Sequence, residues 1–254
     1  MEINKLYCID NVEGMRSLPE NFVDLTVTSP PYDGLRKYNG YSFDFENVAK
    51  QLFRITKEGG VVVWVVGDET KNGSESGTSF RQALYFKEIG FNLHDTMIWE
   101  KSTFSNPSNN RYHQVFEYMF VFSKGKPKTF NPIKDRKNIY FGTKIHGTTR
   151  LKNGKTISLS SKTKKKEISE FGQRYNVWKI SEEKVLNKLH PAVFPQSIAN
   201  DHILSWSNEG DLVFDPFVGS GTTPKVSKIL NRNYIGFDIS EEYIEIANKR
   251  IGNL

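Results

Sequence analysis

The sequence predicts an α/β fold, a mostly parallel sheet of seven strands with helices on its faces. Three observations carry this. Short apolar, β-rich runs recur near residues 5–10, 23–28, 61–66, 93–99, 116–122, 211–215 and 234–238. Stretches with apolar residues at helical spacing separate several of them. Four of the runs end in chemistry-bearing positions: Asp10, Asp215, Asp238 and the turn Ser29-Pro30-Pro31-Tyr32. Open α/β sheets hold their ligands at such strand ends.

Taken in order, Lys5-Leu6-Tyr7-Cys8-Ile9-Asp10 reads as a first strand and Leu18-Pro19-Glu20-Asn21 as a turn. The second strand, residues 23–28, runs straight into Ser29-Pro30-Pro31-Tyr32, where both prolines fix φ and hold the chain stiffly. Phe45, Val48, Ala49, Leu52 and Phe53 mark a helix, which Gly59-Gly60 is expected to stop. Val61 to Val66 is β-branched apart from Trp64 and reads as a strand buried on both faces. A helix over Ser79 to Ile89 ends at Gly90. The next two strands adjoin without a helix, so an antiparallel pair is expected after Trp99, across a polar surface loop over residues 101–114. The helix from Gln196 to Trp206 turns Ile198, Ala199, Ile203 and Trp206 inward. Leu212-Val213-Phe214 is a buried strand, and Val226, Ile229 and Leu230 lie on one face of the helix behind its glycine turn. Ser240 starts the last helix, with Glu241 and Glu242 in the first turn and Lys249 and Arg250 in the last.

At 254 residues the chain has material for one large α/β domain with an insertion. Its longest apolar run is far short of the ~20 residues that span a bilayer, and the N-terminus does not read as a signal peptide. The single cysteine, Cys8, excludes an internal disulfide framework and a cysteine zinc site, and the expectation is an intracellular, cytoplasmic enzyme. Charge is uneven. Residues 124–179 carry 16 Lys and Arg against 3 Asp and Glu, while the chain as a whole is only +6. A basic segment on an otherwise acidic body suggests a polyanion partner, and Lys162, Lys164, Lys165, Lys166 and Arg174 are its candidate phosphate contacts. The plainer alternative is a solvated loop.

The turn Asp215-Pro216-Phe217-Val218-Gly219-Ser220-Gly221-Thr222-Thr223 identifies a ligand class by elimination. A phosphate-binding loop needs a lysine where Thr222 stands, and a dinucleotide fingerprint wants glycine where Pro224 stands. An acid before the turn suits a ligand with positive charge, an amino group or a sulfonium. Asp238, ending the next strand, is placed to grip a ribose. This turn lies last in the chain, whereas doubly wound sheets usually begin with it. A circular permutation explains the order.

Asp215 to Thr223 resembles the AdoMet-binding motif of amino-group DNA methyltransferases, and Ser29-Pro30-Pro31-Tyr32 resembles their catalytic (D/N/S)-P-P-(Y/F) motif. Catalytic motif, basic recognition segment and AdoMet motif follow the order of the β group of that family. His190-Pro191-Ala192 with Phe194-Pro195 resembles the segment preceding the AdoMet motif. The resemblance implies a circularly permuted Rossmann-like AdoMet-dependent methyltransferase fold. It divides the chain into a catalytic part at 1–123, a target-recognition segment at 124–187 and an AdoMet-binding part at 188–254. It implies that the turn from Asp215 through Thr222 holds the methionine part of S-adenosyl-L-methionine, that Phe217 walls the pocket, that Asp238 accepts from the ribose and that Asp10 meets the adenine amino group.

An exocyclic amino nitrogen is a poor nucleophile because its lone pair is delocalised into the base. Two acceptors aimed at its hydrogens, the Ser29 hydroxyl and the Pro30 carbonyl, would favour a pyramidal nitrogen facing the methyl group. Tyr32 would stack on a base flipped out of duplex DNA. Methylation at cytosine carbon needs a cysteine nucleophile, and Cys8 sits inside a strand. Serine at the first motif position resembles the N4-cytosine enzymes more than the N6-adenine ones, so N4 of cytosine in double-stranded DNA is the expected target. N6 of adenine, an RNA or protein substrate, and a non-catalytic DNA-binding protein are the rivals. A cognate restriction endonuclease and a homodimer are the further partners that the resemblance implies.

Overall fold

The computed structural model describes residues 1–31, 43–104, 109–181 and 195–253. Two compact units emerge, residues 1–131 with 176–254, and residues 132–175.

The larger unit begins with β1 (Lys5–Cys8), α1 (Asn11–Arg16), β2 (Val23–Thr28), α2 (Phe45–Ile55), β3 (Thr56–Val66), a short hairpin β4 (Thr70–Lys71) and β5 (Ser74–Glu75), α3 (Thr78–Glu88), β6 (Asn92–Glu100) and β7 (Phe116–Ser123). The smaller unit holds β8 (Arg136–Lys137), β9 (Thr148–Arg150), β10 (Thr156–Ser158), α4 (Ser161–Lys164) and β11 (Phe171–Gly172). The chain then returns with β12 (Val177–Lys179), α5 (Gln196–Trp206), β13 (Leu212–Asp215), α6 (Thr222–Ile229), β14 (Asn233–Asp238) and α7 (Glu241–Gly252).

The central sheet has eight strands in the order β1-β14-β13-β2-β3-β7-β6-β12. Only β7 runs against the others, pairing antiparallel with β3 and β6. The reversal falls where two strands meet without a helix between them. The eighth strand, β12, is absent from the sequence expectation of seven. Three residues are too few to show a period, and Val177–Lys179 is recruited only because β6 offers an open edge at Ile98–Glu100.

Strand alternation builds both cores. Val62, Trp64 and Val66 of β3 face a cluster with Val48, Leu52 and Phe86 of α2 and α3, and Val61, Val63 and Val65 face Ile198, Ile203 and Val226 of α5 and α6. Every residue of Val61–Val66 is buried, as its continuous β-branched run requires. The expected helix stop at Gly59-Gly60 is not where the helix ends. Strand β3 already begins at Thr56, and the left-handed Gly59 (φ 77°) bends it so that its N–H donates to Lys124 O at 2.7 Å.

The smaller unit, 132–175, is narrower than both the basic stretch at 124–179 and the target-recognition segment at 124–187 that the resemblance implies. Asn131 N donates to Ser205 O, and β12 pairs with β6, so both flanks belong to the sheet unit. Lys162, Lys164, Lys165 and Lys166, on and just after α4, are all exposed. Arg174 differs from them. It donates through Nε to both oxygens of Asp135, at 2.9 and 3.2 Å, and holds that carboxyl below the usual range.

Candidate active site

The parallel register places the ends of β1, β14, β13, β2 and β3 along one edge of the sheet. Strand β13 lies between β14 and β2, with Phe214 opposite both Ile235 and Thr26. Residues 187 positions apart therefore meet: Thr28 Oγ1 donates to Asp215 Oδ1 at 2.7 Å. Thr223 Oγ1 donates to Val27 O at 3.1 Å, tying the first turn of α6 to the end of β2. Ser29-Pro30-Pro31 thus leaves the sheet directly beside the Asp215 turn. Tyr32 and residues 190–194 lie outside the described residues.

The turn is held from three sides. Phe217 N donates to Asp215 Oδ1 at 3.0 Å, Val218 N to Phe237 O at 3.0 Å, and Gly219 N to Asp238 Oδ2 at 2.8 Å. Ser240 N takes the other Asp238 oxygen at 3.0 Å. Gly219 and Gly221 both have positive φ. A side chain at Gly221 would also collide with α7, since its Cβ would lie 2.6 Å from Ala247 Cβ. The Ser220 hydroxyl accepts from Arg250 Nη1 at 2.7 Å, and the same nitrogen reaches the Ser220 carbonyl. Ser220 therefore faces α7 with its side chain. Pro216 is buried, and Phe217 packs edge-on to Phe43 at 5.4 Å and to Trp64 at 6.3 Å.

Asp215 is 2% exposed. Burial pushes its carboxyl up to about 6, against the Thr28 hydroxyl and Phe217 N–H that favour the ionised form; the nearby Asp238 adds a smaller upward push. Burial also raises Asp238, opposed by the N–H groups of Ser240 and Gly219. A buried acid, Asp215, and a half-buried one, Asp238, flank one glycine turn at the start of α6, whose cap Gly221 offers no side-chain acceptor. Thr222 Oγ1, 4% exposed at the first position of that helix, has no hydrogen-bond partner among the described residues. A buried hydroxyl without a partner costs free energy unless a ligand satisfies it. A zwitterionic amino acid with a cationic head fits this set, its carboxylate at the helix start and its positive groups toward the acids.

Asp10 caps α1, accepting from Val12 N at 2.9 Å and Glu13 N at 3.1 Å through one oxygen. It stands at the end of β1, whose Cys8 pairs with Asp238. Pro31 helps line a cavity of about 410 Å³ with Phe43, Phe45, Arg81, Gln82 and Tyr85.

Thr28, Thr223 and Arg250 play parts that sequence reading did not assign. The first two are ordinary threonines until the register brings β2 against β13. Arg250 had a sequence signal of its own kind, a cation in a last helical turn, but its target is Ser220 rather than the helix dipole alone. Among the described residues no group of His, Cys, Asp and Glu could hold a metal ion.

The chain is 60% identical over 239 residues to the orphan methyltransferase M.BamHII of Bacillus amyloliquefaciens, covering 91% of this chain and 89% of that one. It is 30% identical over 260 residues to the type II methyltransferase M.HpaI of Haemophilus parainfluenzae, covering 97% and 74%. Among solved structures, the cytosine-N4-specific PvuII DNA methyltransferase superposes with a TM-score of 0.69 at 22% identity, over 98% of this chain and 90% of that one. The M1.HpyAVI–SAM complex gives 0.64 at 24%, over 97% and 98%. These two establish a shared Rossmann-like methyltransferase fold. With a match to the DNA methylase family of N6 and N4 methyltransferases running from residue 23 to residue 249, through both the Ser29 turn and the Asp215 turn, the chain belongs to that family.

Proposed function

We propose that this protein is a type II, site-specific DNA methyltransferase that moves the methyl group of S-adenosyl-L-methionine to N4 of cytosine in duplex DNA. The observation that carries the reading is the Thr28–Asp215 hydrogen bond, which joins the catalytic turn to the cofactor turn across two parallel strands. AdoMet supplies an electrophilic methyl on a sulfonium. The carboxylate of Asp215 and the N-terminus of α6 receive its methionine part, Asp238 its ribose and Asp10 its adenine amino group. Ser29 Oγ and Pro30 O accept from the two amino hydrogens of the extruded base, which leaves the nitrogen lone pair directed at the methyl group. Tyr32 stacks on that base. The cavity beside Pro31 gives a nucleobase room next to the turn. Transfer would be direct: the amino nitrogen forms the new N–C bond as the S–C bond of the sulfonium breaks, the neutral thioether S-adenosyl-L-homocysteine leaves, and one amino proton passes to solvent, so positioning and electrostatics would provide the catalysis.

Support for cytosine over adenine comes from the serine at position 29 and from the named specificity of the PvuII enzyme. Support for DNA comes from the family match and the basic smaller unit. A cognate endonuclease and a homodimer belong to this reading only as its restriction–modification setting. The test is incubation with AdoMet labelled in its methyl group and bacterial genomic DNA lacking the modification, followed by digestion to nucleosides. Label in N4-methyl-2′-deoxycytidine is expected. Label in N6-methyladenine replaces the target, and label on RNA alone replaces the substrate.

Arg250 gives a second expectation. Arg250→Ala releases the Ser220 backbone and hydroxyl, and loss of a charged hydrogen bond of this kind should weaken AdoMet binding by about tenfold. At saturating AdoMet the turnover number should stay near that of the parent, and Arg250→Lys should recover part of the affinity. Calorimetric titration of AdoMet and a KM against kcat comparison measure both.

A further inference from the structure

Ile139, Tyr140 and Phe141 are three consecutive apolar residues left 91%, 69% and 59% exposed in the most basic part of the molecule. Their position in the smaller unit explains how they stay there. Arg136 and Lys137 pair antiparallel with Gly172 and Phe171, and Asn138 N continues the ladder to Glu170 O at 2.8 Å. Beyond the three residues the ladder resumes: Gly142 N donates to Ile168 O at 3.0 Å, Ile168 N to Thr143 O at 2.9 Å, and Ile145 N to Lys166 O at 3.0 Å. The chain takes four steps from 138 to 142 while its partner takes two, from 170 to 168. The surplus is thrown out as a bulge.

The bulge is fixed at both ends. Asn138 Nδ2 donates to Ser169 O at 2.9 Å, and the Thr143 hydroxyl and N–H both donate to Tyr140 O, at 2.8 and 3.2 Å. Gly142 takes the left-handed turn (φ 76°) that brings the chain back. Bulges re-aim side chains in this way, and a rigid tip of apolar groups is a contact device, since such groups in water have a cost that only a partner removes. What surrounds it selects the partner. The unit from 132 to 175 carries twelve Lys and Arg against three Asp and Glu. Lys137 and Lys144 flank the tip in the chain, and Lys164, Lys165 and Lys166 end the segment that pairs with it. A second copy of this surface would meet like charge. A duplex meets opposite charge with its phosphates and offers stacked bases to the apolar groups.

We infer that Ile139-Tyr140-Phe141 is a wedge that enters between base steps of the DNA while the neighbouring lysines hold the phosphates. Apolar side chains placed so unstack and kink a duplex. An unstacked step is also easier to open for base extrusion. The inference rests on the DNA reading above and adds to it a residue-level contact that the phosphate-binding lysines do not provide.

The test compares three variants with the parent on a duplex carrying the methylated sequence, as mapped on genomic DNA treated with the parent. The triple substitution Ile139→Ser, Tyr140→Ser, Phe141→Ser should raise the Kd by roughly tenfold or more and leave the slope of log Kd against log salt unchanged. The fluorescence rise of 2-aminopurine at positions across the site should be lost with it. Lys164→Ala, Lys165→Ala, Lys166→Ala should instead flatten the salt slope. Tyr140→Phe should bind as the parent does, because the wedge needs the ring and not the hydroxyl. AdoMet binding by the triple variant reports that the sheet unit is intact. An unchanged Kd for the triple variant overturns the wedge, as does a loss in Tyr140→Phe equal to that of the triple. Light scattering that shows a dimer falling to a monomer, with DNA binding unchanged, assigns the tip to self-association and also overturns it. If the parent itself methylates no DNA, the proposed function fails; if it does and the triple variant binds equally well, only the wedge fails.

Discussion

Ser29→Ala is expected to slow methyl transfer by about 10²-fold or more while AdoMet binding stays close to that of the parent. On the proposed reading the substitution removes one of two acceptors for the target amino group, and nothing that anchors the Asp215 turn. That turn is fastened to β2 one residue earlier, through the Thr28 hydroxyl, and two residues earlier, through the Val27 carbonyl. Single-turnover kinetics at saturating AdoMet read the chemical step, and calorimetry reads the cofactor. If Ser29→Ala weakens AdoMet as much as it slows transfer, the division of labour between the two turns is wrong. Thr28→Val is the informative contrast. It breaks the bond to Asp215 and should disturb cofactor affinity as well as rate.

The second large effect concerns Asp215 and pH. The carboxyl sits at about 6 in the folded protein against 3.8 for the free side chain. The native state therefore binds a proton more tightly than the unfolded chain, so without ligand its stability falls as pH rises from about 4 to 6. The stability forgone above that window is about 3 kcal/mol. A cationic ligand needs the ionised form, so AdoMet affinity should fall as pH drops below 6, approaching tenfold for each unit. Asp215→Asn separates the two effects. The hydrogen bonds from Thr28 Oγ1 and Phe217 N both go to Oδ1, which an amide oxygen retains. The variant should melt higher than the parent at pH 8 and no higher at pH 4. Its AdoMet affinity should drop by about tenfold or more and lose its dependence on pH between 5 and 7. Equal pH dependence in parent and variant would place the titrating group elsewhere.

Both expectations depend on one sheet edge, and much of that edge is legible in the chain. Asp215-Pro216-Phe217-Val218-Gly219-Ser220-Gly221 is a local device. Its glycines, its acid and the helix behind it lie within a dozen residues, so the turn can be read without the fold. The same is true of Ser29-Pro30-Pro31, of the buried run Val61 to Val66, and of α5, whose ends at Gln196 and Trp206 match the apolar spacing. Periods of two and of 3.6 need only neighbours along the chain.

Tertiary structure decided what depends on neighbours in space. The strand β12 is three residues that become a strand because β6 has an open edge. Gly59 and Gly60 look like a helix stop and are instead a bend within β3. Arg250 becomes part of the cofactor turn because α7 packs close enough for Ala247 to exclude any Cβ at Gly221. The bulge at Ile139–Phe141 appears only when residues 138 and 142 are matched against 170 and 168, a count that requires the pairing itself. Most of all, the 2.7 Å contact between Thr28 and Asp215 follows from parallel register, which is set by how β2, β13 and β14 bury their alternating faces together. Linear sequence determined which motifs the chain carries; the sheet decided which of them meet, because hydrogen-bonded register is a relation between strands and exists in neither strand alone.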